Sequence, residues 1–120
     1  MLKVLIADDE SKVCQLIEKL VDWDALDMEV GAVAENGIDA LEKIKEVHPD
    51  IVITDFRMPG YDGLDLIRLG KEEAPNAEFV IISGYRHFES AQMAIRNGVT
   101  AYLLKPIKKD ELTETINRLS

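Results

Sequence analysis

Short continuous apolar runs alternate with amphipathic stretches from one end of the chain to the other. Val4-Leu5-Ile6-Ala7 is apolar throughout and brief, the pattern of a strand buried on both faces. Ser11 then stands where it can cap a helix whose apolar positions are Val13, Leu16, Ile17 and Leu20. Val30 to Ala34 reads as a second strand. Ile38, Leu41, Ile44 and Val47 mark a second helix, which Pro49 stops. Ile51-Val52-Ile53-Thr54 is a third strand, Pro59-Gly60-Tyr61-Asp62-Gly63 a loop, and Leu64, Ile67 and Arg68 belong to a short third helix. Phe79-Val80-Ile81-Ile82 is the fourth strand. Phe88, Ala91 and Ile95 pattern the fourth helix, which Asn97-Gly98 ends. Ala101-Tyr102-Leu103-Leu104 is the fifth strand, and Leu112, Ile116 and Leu119 give a final helix. Strand–helix pairs joined by short connections predict an α/β fold: a doubly wound, five-stranded parallel sheet in three α/β/α layers, forming one domain over residues 1–120.

Composition narrows the setting. A chain of 120 residues suits one core. No apolar run is long enough to span a membrane, and the apolar start is too short and wrongly flanked for a secretory signal, which favours the cytoplasm. Cys14 is the only cysteine, so no disulfide forms within the chain, and its helical setting makes it a small core residue. A net charge of −9 repels nucleic acid, so any contact with DNA falls to another domain. The acid also fits a cation site that gathers carboxylates.

Polar residues fall at the carboxyl ends of the strands. The first ends in Asp8-Asp9-Glu10, the third in Asp55, the fourth in Ser83-Gly84 and the fifth in Lys105-Pro106. Taken singly, an acidic residue there caps a helix, a serine before glycine makes a turn, and a lysine before proline is solvated. Taken together they converge if the first, third, fourth and fifth strands are neighbours, because open α/β sheets bind ligands beyond the carboxyl ends of their strands. Packed carboxylates repel, and a hard divalent cation relieves the repulsion. Oxygen-only ligands suit Mg²⁺, which shares coordination with phosphate. His48 and His87 lie far apart and Cys14 stands alone, so nothing suggests zinc. A carboxylate can act as nucleophile and form an aspartyl phosphate, a reaction that needs mainly positioning and charge neutralisation.

Leu5-Ile6-Ala7-Asp8-Asp9-Glu10, Thr54-Asp55-Phe56-Arg57-Met58-Pro59-Gly60-Tyr61-Asp62-Gly63, Ile82-Ser83-Gly84 and Leu104-Lys105-Pro106 together resemble the receiver (CheY-like) domains of two-component response regulators, over essentially the whole chain. The resemblance implies that Asp55 is the phosphoacceptor. It implies that Asp9, Asp55 and the main-chain carbonyl of Arg57 bind Mg²⁺ directly, and Asp8 through water. Lys105 and Ser83 would bind the phosphoryl group. Ser83 and Tyr102 would act as switch residues, although Tyr102 by itself reads as an aromatic on a half-buried strand. The Lys105-Pro106 bond would be cis. Arg57 and Tyr85 occupy positions at which the family tunes phosphoryl lifetime. Val21-Asp22-Trp23 and Ser83-Gly84-Tyr85-Arg86-His87-Phe88-Glu89 look like receivers joined to an AraC-type helix-turn-helix domain, while Trp23 also suits a gap beneath the loop after the first helix.

The resemblance further implies a sensor histidine kinase as partner and DNA contact only through a separate output domain, while the mixed charges of the helix 4, strand 5 and helix 5 face suit a receiver homodimer. Arg86, Arg96, Lys108, Lys109, Asp110, Glu111 and Glu114 mark that face, which also suits an ordinary solvated surface. The chain is either freestanding or, as its stop near the last helix favours, a piece of a longer regulator. The resemblance implies that the chain promotes its own Mg²⁺-dependent phosphorylation and dephosphorylation at aspartate rather than turning over an external substrate. A haloacid-dehalogenase-type phosphatase needs Asp-x-Asp after the first strand, where this chain has Asp8-Asp9. A flavodoxin needs a hydroxyl-rich phosphate loop, where Asp8-Asp9-Glu10 would repel flavin phosphate. A receiver acting only as an interaction module would not need all five polar site residues.

Overall fold

The computed structural model describes residues 1–84 and 88–119, with residues 88–91 described by their backbone alone. Val, Ile and Leu dominate the apolar runs and extend into β1 (Leu2–Ala7), β2 (Met28–Ala34), β3 (Ile51–Asp55), β4 (Glu78–Ser83) and β5 (Ala101–Leu104). Between them lie α1 (Ser11–Leu20), α2 (Gly37–Val47), α3 (Gly63–Glu73) and α4 (Phe88–Arg96), and α5 (Lys109–Arg118) follows β5. Every strand pairing is parallel, in the order β2-β1-β3-β4-β5. This is the doubly wound sheet that the alternation predicts.

Neighbouring positions on a strand face opposite sides, so each central strand feeds two cores. Leu5, Val52, Phe79 and Ile81 pack beneath Ile44, Leu66, Ile67 and Ala94 of α2, α3 and α4. Val4, Ile6, Ile53, Val80 and Ile82 pack beneath Cys14, Ile17, Leu112 and Ile116 of α1 and α5. Each of the buried Val, Leu, Ile and Phe side chains stabilises the fold by about 1.5–3 kcal/mol through transfer from water. Trp23 is half-buried against the second core, and its Nε1–H donates to the Glu18 carbonyl at 3.0 Å.

Several sequence expectations need correction. Ser11 does not cap α1: Glu10 occupies the cap position with no side-chain bond, because its carbonyl already accepts from Val13 N–H at 3.0 Å and places Ser11 inside the first turn. The third helix is not short; it runs eleven residues, held at its start by the reciprocal Asp62–Asp65 capping box. Leu16, Ile38 and Ile95 face solvent at 43%, 55% and 68% exposure. Cys14, Ala40 and Ala94 bury in their helices instead, since their angular positions on the helices turn them to the sheet. Tyr85, Arg86 and His87, and the side chains of Phe88, Glu89 and Ala91, lie outside the described residues. Asn97-Gly98 does end α4, with Gly98 at φ +86°. Among the described residues no helix is long and apolar enough to cross a membrane.

Candidate functional site

The strand order decides where polar tips meet. From β1 the chain crosses to β2 on one side, and β3, β4 and β5 add on the other. The reversal opens a crevice beyond the carboxyl ends of β1 and β3. Asp8, Asp9 and Glu10 leave β1 there, Asp55 ends β3, Ser83 ends β4 and Lys105 follows β5.

Asp8 is almost fully buried, at 2% exposure. Its Oδ1 accepts from the Glu10 N–H at 2.9 Å, and its Oδ2 lies 3.4 Å from Lys105 Nζ. Asp55 Oδ1 accepts from the Phe56 N–H at 2.8 Å, and its Oδ2 lies 3.5 Å from the same ammonium. One cation therefore bridges two carboxylates from different strands. The Lys105 N–H donates to the Ser83 carbonyl at 2.7 Å, tying the end of β5 to β4, and the Lys105–Pro106 peptide bond is cis. Ser83 is buried. Asp9, Glu10, Asp55, Arg57, Gly84 and Lys105 line a cleft of about 400 Å³.

Charge in this cleft is unevenly matched. Burial, reinforced by the neighbouring Asp55 charge, pushes the Asp8 carboxyl up to about 6 despite the Glu10 amide and Lys105. Burial also raises Asp55, with Asp9 adding to the effect and Lys105 and the Phe56 amide opposing it. Burial works against the Lys105 ammonium, but Asp55 and Asp8 outweigh it and hold the group protonated. Carboxylate oxygens of Asp8, Asp9 and Glu10 can lie within 4.8 Å of one another. An all-oxygen donor set with surplus negative charge fits a hard divalent cation such as Mg²⁺.

Tyr102 lies on β5, in register with Ile81 of β4. Its ring meets Phe56 edge-on, with centroids 6.3 Å apart, and packs against the core formed with α2, α3 and α4. Its hydroxyl oxygen is buried and meets no hydrogen-bond partner among the described residues. Arg57 holds its guanidinium 6.0 Å from the centre of the Phe56 ring. Tyr85 lies outside the described residues. The structure thus gathers Asp8, Asp9, Asp55, Ser83 and Lys105 at one end of the sheet. It adds Glu10 and Gly84 to the cleft wall and the Phe56 amide to the Asp55 anchor. The amide leaves no signal in side-chain identity.

A model of the response regulator receiver domain matches residues 4–117. The chain belongs to that family. The receiver is 38% identical to the uncharacterized transcriptional regulatory protein YesN of Bacillus subtilis over 99% of its own length and 32% of that protein's. It is 34% identical to the transcriptional regulatory protein HptR of Staphylococcus aureus, over 99% of the chain and 46% of HptR. It therefore spans a third to a half of these relatives. Among solved structures, the receiver domain of AraT, a response regulator from Geobacillus stearothermophilus, superposes with a TM-score of 0.92 at 42% identity, covering 98% of this chain and 92% of that one. A LuxR-family DNA-binding response regulator from Staphylococcus aureus gives 0.89 at 32% identity, covering 99% and 98%. The receiver is thus a domain of a two-component response regulator.

Proposed function

We propose that Asp55 is the phosphoacceptor of this receiver, with Asp8, Asp9, Asp55 itself and the Arg57 carbonyl serving a bound Mg²⁺ and Ser83 and Lys105 serving the phosphoryl oxygens. The observation that carries this reading is the single Lys105 ammonium set 3.4 Å from Asp8 and 3.5 Å from Asp55 in one cleft. That contact marks where negative charge must be neutralised during transfer. Asp55 Oδ2 points toward the ammonium while Oδ1 is held by the Phe56 amide, so the carboxylate is oriented before any donor arrives.

A sensor histidine kinase is the natural donor. An Asp55 oxygen attacks phosphorus, the P–N bond of the phosphohistidine breaks as the new P–O bond forms, and the imidazole departs with its electron pair and takes up a proton. Mg²⁺ supplies charge neutralisation at the transferring group. Lys105 follows the new oxygens, and Ser83, at the end of β4, donates its hydroxyl to one of them. Tyr102 sits on the strand between α4 and α5, so movement of Ser83 is read out through β5.

The face of α4, β5 and α5 carries the mixed charges Arg96, Lys108, Lys109, Asp110, Glu111 and Glu114. Their mixture supports pairing with a second receiver. A cytoplasmic regulator with a separate DNA-binding output domain, of the AraC type, completes the reading; the transcriptional relatives support it. Incubation with acetyl phosphate and Mg²⁺ followed by intact mass tests the core of it. Wild type should gain one phosphate and Asp55→Asn none; equal labelling of both would refute the assignment.

A further inference from the structure

The turn between β2 and α2 contributes no side chain to the cleft, yet its backbone touches both arms of the site. At one end the Asp8 N–H donates to the Ala34 carbonyl at 3.0 Å. At the other the Gly37 N–H donates to the Pro59 carbonyl at 3.0 Å. Pro59 lies two residues after Arg57, in the loop between β3 and α3. The base of that loop is closed by the Gly63 N–H, which donates to the Phe56 carbonyl at 2.8 Å. Residues 34–37 are therefore a backbone strut that runs from the main chain of Asp8, just beyond β1, to the loop bearing the Arg57 carbonyl.

Gly37 is what lets the strut fit. It is buried, and a Cβ added there would collide with the N, C and O atoms of the Tyr61 peptide. Those are main-chain atoms, so relief requires the loop itself to move. Gly60 shows that the loop is already confined: its φ is +83°, and a Cβ there would meet Ile38 of α2. Asn36 fixes the strut from behind, its Oδ1 accepting from the Asp39 N–H at 2.7 Å.

From this geometry we infer that Gly37 is a positioning residue for the cation site, setting the distance between Asp8 and the Arg57 carbonyl without touching either. The inference rests on the cation reading given above and adds a residue to it. Outer groups that hold ligands in place typically govern metal affinity by ten-fold or more.

The test is calorimetric titration of Mg²⁺ into wild type, Gly37→Ala, Asn36→Ala and the control Ile44→Val, with melting curves in parallel. Ile44 is a fully buried residue of the same helix, so its truncation lowers stability through packing alone. Gly37→Ala should raise the Mg²⁺ dissociation constant about ten-fold or more. Labelling by acetyl phosphate should fall at low Mg²⁺ and recover at saturating Mg²⁺. Ile44→Val should lower the melting temperature at unchanged Mg²⁺ affinity. Gly37→Ala that melts earlier but binds Mg²⁺ like wild type would overturn the inference. Should Gly37→Ala not fold, Asn36→Ala decides: weakened Mg²⁺ binding supports the strut and unchanged binding overturns it. A wild type that binds no Mg²⁺ strikes at the cation reading itself, and the strut falls with it.

Discussion

Asp8 is where burial and charge conflict most directly. Its carboxyl sits at about 6 in the folded chain against an ordinary 3.8. The folded state therefore holds this proton more tightly than the unfolded state does. The stabilisation from this group is fully present below the unfolded value and is lost as pH rises through the folded one. In metal-free buffer at pH ~7, Asp8→Asn should accordingly be more stable than wild type by about 1–3 kcal/mol. The gap should close as pH falls below about 4. Urea titrations with a chelator across this range check the sign, and an Asn variant that is less stable at neutral pH would refute it. Adding Mg²⁺ should reverse the order, because wild type alone keeps the carboxylate. At this scale the sequence was legible as a joint pattern: Asp8, Asp9, Asp55, Ser83 and Lys105 each admit a bland explanation, and strand order brings them together. Burial to 2% exposure at Asp8 was not legible, since the cover comes from elements far along the chain.

Strands and helices followed the apolar pattern closely, and the misassigned core positions lie on three helices. Leu16, Ile38 and Ile95 look like core positions by size, yet they face solvent while Cys14, Ala40 and Ala94 are buried. Ile17 of α1 and Ile44 of α2 are buried as expected, so it is the angular position on the helix, not residue size, that decides which side chain faces the sheet. α3, read as short from Leu64, Ile67 and Arg68, runs on through Gly70, which lies against Phe79, where an added Cβ would crowd the ring. Two substitutions test element-level reasoning. Gly98→Ala, at φ +86° and against the end of the Lys71 side chain, should cost about 1–2 kcal/mol in chemical denaturation. Ile116→Ala, which empties a fully buried position of α5, should cost about 2–5 kcal/mol. A smaller loss for Ile116 than for Gly98 would mean that α5 does not anchor its core.

Across the whole molecule a net charge of −9 meets a cleft that concentrates carboxylates. Sodium chloride should stabilise the fold modestly by screening. Mg²⁺ should do more at equal ionic strength, by about 2.7 kcal/mol at a hundred times its dissociation constant. Asp9→Asn should remove most of that excess while keeping the response to sodium chloride. Scanning calorimetry distinguishes the two, and an Asp9→Asn variant with the full Mg²⁺ effect would exclude Asp9 as a ligand.

The bond between Lys105 and Asp8 joins positions 97 residues apart. Contacts of such span close late in folding, because the intervening chain must be ordered first. For most of its path to the native state the protein thus carries its acidic tips without their ammonium counterpart. A cation that needs the finished pocket gains little at the folding barrier and much beyond it. In stopped-flow experiments Mg²⁺ should leave the refolding rate nearly unchanged and slow unfolding, so that the ion acts as a latch on a door already shut.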